Sequence, residues 1–195
     1  MFKQITTTLA ALAFSATPTL AWSEATRLDA QHQYLWDTME SKGVWGFVNP
    51  EKVCQDPNRD IDGAYFYSRE AQHPILVVCQ DNRQNPSTDE VAWTANDLDT
   101  VRHEAMHFLQ DCMDDKIDQQ LQPFYDGPGG APGDLTYREI MRRLGEEYAY
   151  RIYLTYNNAG ADSKTIRLEH EAFYVAANIS PVTIAQAIDA FCPGQ

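Results

Sequence analysis

The stretch His103-Glu104-Ala105-Met106-His107 decides how this chain is read. In a helix, residues four apart sit one turn above each other on the same face. The two imidazoles therefore project side by side, at a spacing that suits one tetrahedral zinc ion. Glu104 lies beside them, where its carboxylate can take a proton from a water that the metal activates. The flanking residues agree with a helix. Over residues 96–112 the apolar positions Leu98, Val101, Ala105, Phe108, Leu109 and Cys112 recur at three- and four-residue steps, giving one core-facing stripe. At about 100° per residue, His103 and His107 fall nearly opposite that stripe. Thr94 or Asn96 is the expected N-cap, answered three residues on by Asp97 or Asp99.

Upstream of this helix the pattern changes to strands. Residues 61–67 and 74–79 read as an antiparallel pair, and Ile75-Leu76-Val77-Val78 is a continuous apolar run of the kind a buried strand shows. Tyr65 and Tyr67 read as sheet packing rather than chemistry. Residues 44–48 form a further short strand, and residues 49–60, with two Pro and several Asn and Asp, a loop. Before them, Ser23 is the expected N-cap of a helix running to about Lys42, with Glu24 in its first turn and Gly43 as its stop. Downstream, residues 126–133 are too rich in Gly and Pro for regular structure and read as an exposed connector, or a lid. A helix from Asp134 or Thr136 to about Tyr156, one from Asp162 or Ser163 to Asn178, and one opened by Ser180-Pro181 and ending near Phe191 complete the chain.

The whole is one α+β domain in 195 residues, of which 44% are hydrophobic, enough for an ordinary core. A formal net charge of −13 leaves no basic surface to displace the counterions of a phosphate backbone, which argues against a nucleic-acid partner. Residues 1–21 read as a secretory signal: Lys3 in a short n-region, a moderately apolar h-region, and Thr19-Leu20-Ala21 before the expected cut. That apolar run is too short to span a membrane, so a secreted or periplasmic protein without stable membrane insertion is expected, acting as a monomer. Cys54, Cys79, Cys112 and Cys192 form no C-x-x-C pair, and an even count in an oxidising compartment favours two disulfides. Three connectivities are open. The pairing Cys54–Cys79 with Cys112–Cys192 is preferred because each bond ties a loop or a tail onto the metal-bearing half.

Two His need a third protein ligand, with the fourth position left for water. In Leu144-Gly145-Glu146-Glu147-Tyr148-Ala149, Gly145 and Ala149 make a smooth strip where the metal helix could approach, and Glu146 adjoins it. A mid-helix Gly costs about 1 kcal/mol against Ala, which asks for a packing or functional reason. Glu146 is therefore chosen over Glu147, with Glu169 and Glu171 as other candidates.

The segment His103-Glu104-Ala105-Met106-His107, continued by Gln110, with Glu146 in an E-x-x-A setting on a later helix, resembles a gluzincin-type zinc metallopeptidase. The antiparallel strands ahead of the motif resemble the small zincin core. The metzincin pattern fits badly, because after His107 it wants a Gly and a His where this chain has Gln110 and Met113. The gluzincin resemblance implies Zn2+ held by His103, His107 and Glu146, Glu104 as general base, and a peptide or protein substrate. It also implies a donor for the oxyanion: His170 first, on a downstream helix where such enzymes place one, then Tyr150 and Tyr153. Arg102 and Arg151 are candidates to orient carboxylates. Two other classes share these residues: a zinc hydrolase of non-peptide substrates, and a non-catalytic exported domain held together by zinc or disulfides. Glu104 discriminates against the last, since a structural site needs no carboxylate beside its ligands.

Overall fold

The protein is described by a computed structural model over residues 27–55, 61–83, 89–125 and 135–193. Among these residues lie seven α-helices and one three-stranded sheet, an α+β architecture. In chain order they are α1 (Ala30–Ser41), β1 (Trp45–Val48), α2 (Glu51–Cys54), β2 (Gly63–Ser68), β3 (His73–Val78), α3 (Ala95–Asp111), a 3-10 turn (Cys112–Asp114), α4 (Tyr137–Leu144), α5 (Glu146–Asn158), α6 (Ser163–Asn178) and α7 (Pro181–Phe191). The expected signal segment, its cut at Ala21, the Ser23 cap and the Gly- and Pro-rich stretch 126–133 lie outside the described residues.

β3 is the central strand, parallel to β1 and antiparallel to β2. Its position explains the unbroken apolar run: both faces are covered. One face, through Leu76 and Val78, joins the main core; Val77 joins a smaller cluster around Cys54 and Cys79. α3 crosses the middle of the molecule and packs on α1, β2, β3, α6 and α7. Val101, Ala105, Phe108 and Leu109 carry the expected stripe into the core with Leu35 and Met39 of α1, Ala172 and Val175 of α6, and Ile184 and Ile188 of α7. The face opposite the stripe does not meet open solvent, however. Glu104, His107 and Gln110 are also buried, because α6 covers that side.

The start of α3 is heavily specified. Thr94 Oγ1 accepts from the Asp97 N–H, the Asp97 carboxylate accepts from the Thr94 N–H, and the box is closed. Asp97 also accepts from the Asp81 N–H at 2.9 Å, so the chain leaving the sheet is tied to the helix it feeds.

Two helix readings are corrected. α1 begins after Asp29, not Ser23: Asp29 accepts from the N–H groups of Gln31 and His32, and residues 27–29 are not helical. The helix expected from about residue 134 to 156 is two helices, α4 and α5, broken at Gly145. Gly145 has φ +83°, and a Cβ built on it would meet nothing within 4 Å, so backbone freedom at a junction, not close packing, is the reason for glycine here.

Cys54 pairs with Cys79 and Cys112 with Cys192, as preferred from the sequence. The first bond fastens α2 beneath β3 and the second ties the C-terminal segment to the end of α3. Two disulfides suit an oxidising, extracellular setting. No helix of the described residues is long and apolar enough to cross a membrane.

Candidate metal centre

One turn of α3 brings His103 and His107 together, with their Nε2 atoms 3.1 Å apart. The third donor comes from α6. Glu169 Oε2 lies 3.2 Å from His103 Nε2, and Glu169 Oε1 lies 3.5 Å from His107 Nε2. These separations are those of a metal's ligands. A tetrahedral ion with bonds of about 2.0–2.1 Å spaces its donor atoms by about 3.3 Å. Glu169 Oε2 is moreover buried and makes no hydrogen bond. A buried carboxylate needs positive charge beside it, which either protonated His103 and His107 or a cation bound among the three groups would supply. The residues fit a metal, and two imidazoles with one carboxylate are a donor set that zinc accepts.

Electrostatics couple the members of the group. Burial alone would push the Glu169 carboxyl up, but the two imidazoles more than offset it and hold the group well below the usual carboxylate range. Burial pulls His107 down, yet Glu169 and Glu104 outweigh it and hold the metal-free imidazole at about 9. Glu169 and His107 each stabilise the charged form of the other, as in a buried ion pair.

Glu104 is buried beside this group. Burial raises its pKa, with Glu169 adding to the effect and the two histidines and the Tyr65 N–H opposing it. The Tyr65 contact depends on how closely β2 runs to α3. A Cβ built on Gly63 would stand 2.5 Å from Thr100 Cγ2 and 3.1 Å from Glu104 Cγ, so glycine lets the strand in. Gly63, Thr100, His103, Glu104, Tyr156 and Phe173 are among the walls of a cleft of about 390 Å3. Phe173, one turn after Glu169 on α6, packs its ring 4.5 Å from that of His103 and holds the imidazole's plane.

The structure does not bring Glu146 to this centre. It is exposed at the first position of α5, as is Glu147 beside it, where both complement the helix dipole. The carboxylate that reaches the histidines is Glu169, which the sequence reading held only as an alternative. Glu171 points elsewhere, accepting from the Phe124 N–H and from Gln110.

His170, the expected oxyanion donor, is likewise displaced. It is 1% exposed, with Nδ1 on the Tyr137 hydroxyl and Nε2 on the Ala149 carbonyl, and it lines a separate cavity of about 970 Å3 together with Glu146, Tyr150 and Tyr153. Arg102 pairs with Asp99, and Arg151 lies over the Tyr148 ring.

The residue that sequence reasoning missed is Tyr156. It lines the cleft; burial, then the negative charges of Glu169 and Glu104, hold its hydroxyl protonated far above the ordinary phenol range. No spacing signal marks it among the tyrosines of α5. No family model, curated protein or solved structure matches this chain.

Proposed function

We propose that the protein is an exported zinc-dependent metallopeptidase of gluzincin type with a zincin-like fold. The observation that carries this reading is the buried carboxylate of Glu104 beside a group of three donors among the described residues, His103, His107 and Glu169, at the wall of a cleft. A structural zinc closes its coordination with four protein ligands, whereas a hydrolytic one keeps a position open for water. Held there, zinc would supply Lewis acidity, polarising the scissile carbonyl and making a water acidic near neutral pH.

The chain's own groups supply the rest. Glu104 takes the water proton, and its raised pKa suits it to hand that proton on to the leaving amine. Tyr156 keeps its proton and donates a hydrogen bond where negative charge develops on the carbonyl oxygen. Phe173 keeps water from the flank of His103.

The test is zinc content and casein or peptide-library hydrolysis on the same preparation, with Glu104→Gln beside it. The expected result is a single equivalent of zinc in both and hydrolysis in the wild type alone. A wild type that takes up no zinc after zinc-replete refolding, or a zinc-loaded Glu104→Gln that hydrolyses as fast, overturns the proposal.

A further inference from the structure

Gln110 lies one helical turn beyond His107 and is fully buried, as is Glu171 on α6. A buried amide and a buried carboxylate are each costly to desolvate, and both persist only where their hydrogen bonds are made. Here the bonds form a single chain. His107 Nδ1 is 2.8 Å from Gln110 Oε1. Gln110 Nε2 donates to the Leu168 carbonyl at 3.1 Å and to Glu171 Oε2 at 3.2 Å. The same Glu171 oxygen accepts from the Phe124 N–H at 2.9 Å. The other end of Gln110 is also held, its own carbonyl accepting from the Gln122 N–H at 2.8 Å.

This arrangement allows one orientation of the amide. A backbone carbonyl only accepts, so the side of Gln110 that faces Leu168 must be its NH2 group. A flipped amide would set its oxygen against the Leu168 oxygen and the Glu171 carboxylate. With the NH2 group fixed there, Oε1 must face His107 and can only accept from it. Nδ1 of His107 therefore carries a proton, and in the neutral ring the lone pair is on Nε2, the atom that faces His103 and Glu169. The acceptor for the other Gln110 donor is the carbonyl of the residue immediately before Glu169. One side chain thus holds the ring of one donor and the helix that carries another.

We propose that Gln110 and Glu171 form a positioning clamp that fixes the ligating tautomer of His107 and the placement of Glu169 against it. The clamp rests on the metal-centre reading for its purpose, but its effect on the ring exists without metal. Outer partners of this kind change metal affinity by about 10–100-fold when removed.

The experiment uses the full chain, with two readouts. Imidazole 1H–15N NMR of metal-free wild type, at a pH high enough to leave His107 neutral, reports its tautomer. Zinc competition against a chelating indicator reports affinity for wild type, Gln110→Leu, Glu171→Leu and Glu171→Gln, each checked for fold by circular dichroism. The expected results are a proton on Nδ1 in the wild type, and a loss of about 10–100-fold in zinc affinity for both Leu variants. Glu171→Gln should lose less than Glu171→Leu, because its one oxygen can accept from both Phe124 and Gln110, although its NH2 group then takes the place of the oxygen that lies 3.5 Å from Arg167 Nε. That rescue separates a hydrogen-bonding role from mere volume.

A wild-type proton on Nε2, or unchanged affinity in a folded Gln110→Leu, overturns the clamp. Should the Leu variants fail to fold, the wild-type tautomer still decides it. A wild type with the proton on Nδ1 that binds no zinc supports the clamp and overturns the metal reading instead.

Discussion

Glu169 on α6 sets its Oε2 3.2 Å from His103 Nε2 on α3, so two helices far apart in the sequence meet at one point in the core. Glu146 sits exposed at the start of α5 and lines a different cavity. Glu169→Ala should therefore lose zinc affinity by more than the about 10–100-fold typical of an outer partner, while Glu146→Ala keeps it. Metal analysis after gel filtration, with circular dichroism as the folding control, checks this. Retention of zinc by Glu169→Ala would show that the ligand is another group.

The elements of this site were unequally legible in the sequence. α3 could be read because three signals coincide in it: the H-E-x-x-H spacing, the stripe of Val101, Ala105 and Phe108, and the Thr94–Asp97 box. β3 was legible from its apolar run. Glu169 was not, because local pattern does not say which helix folds back on the motif. The setting E-x-x-A occurs both at Glu146–Ala149 and at Glu169–Ala172. Gly145 favours Glu146 in the sequence, whereas Glu169 is the carboxylate that meets the histidines, since a helix-breaking glycine and a close-packing glycine look alike before φ is known. A usable signal did exist. Glu169, His170 and Glu171 are three ionisable residues inside a helix whose Ile166, Leu168, Ala172 and Val175 are buried, and such groups are retained only when something inside needs them.

Gly63→Ala tests whether the close run of β2 past α3 positions Glu104. The added Cβ meets Thr100 Cγ2 at 2.5 Å and the Val77 carbonyl at 2.9 Å, so the strand must shift. Overpacking of this kind costs about 1–3 kcal/mol, read by urea unfolding. Combining it with Thr100→Ser, which removes Cγ2 and keeps the hydroxyl, should recover part of that loss. If Gly63→Ala unfolds at the wild-type urea midpoint, the contact is not tight.

The two disulfides should contribute unequally. On chain entropy, Cys112–Cys192, whose cysteines are 80 positions apart, contributes about 4.5 kcal/mol, and Cys54–Cys79, 25 apart, about 3.5 kcal/mol. Against a typical domain stability of about 5–15 kcal/mol, loss of the first removes at least about a third of the total. Paired Cys→Ala variants compared by denaturant midpoint would show the order, and the reverse order would mean that strain or residual unfolded structure outweighs loop length.

Asp29 gives α1 a pH-dependent end. Slight burial pushes its carboxyl up, but its hydrogen bonds to the His32 N–H and ring and to the Gln31 N–H outweigh this and lower its pKa. A lowered carboxylate adds stability above its unfolded pKa of about 3.9, and that stability is lost as pH falls through the lower folded value. Asp29→Ala should cost about 1 kcal/mol at neutral pH, and the gap to wild type should close in acid. Its side chain is 52% exposed, so salt weakens the charged part of the effect. A gap that persists unchanged in acid would show that the cap is not ionic.

Tyr156 and Tyr153 lie on one helix and face different cavities, which makes them a matched pair for testing the oxyanion donor. Tyr156→Phe removes the hydroxyl and leaves the ring in the cleft wall. If that hydroxyl stabilises charge only as it develops, kcat should fall by about 10²–10³ with KM little changed, as for other single oxyanion donors. Zinc content should hold, because the three donors remain. Tyr153→Phe, whose side chain is exposed beside Tyr150, should hydrolyse peptides at the wild-type rate. A Tyr156→Phe enzyme whose KM rises while kcat holds would instead place the hydroxyl in ground-state binding, and one that loses zinc would make Tyr156 a support for Glu169 rather than a donor to substrate.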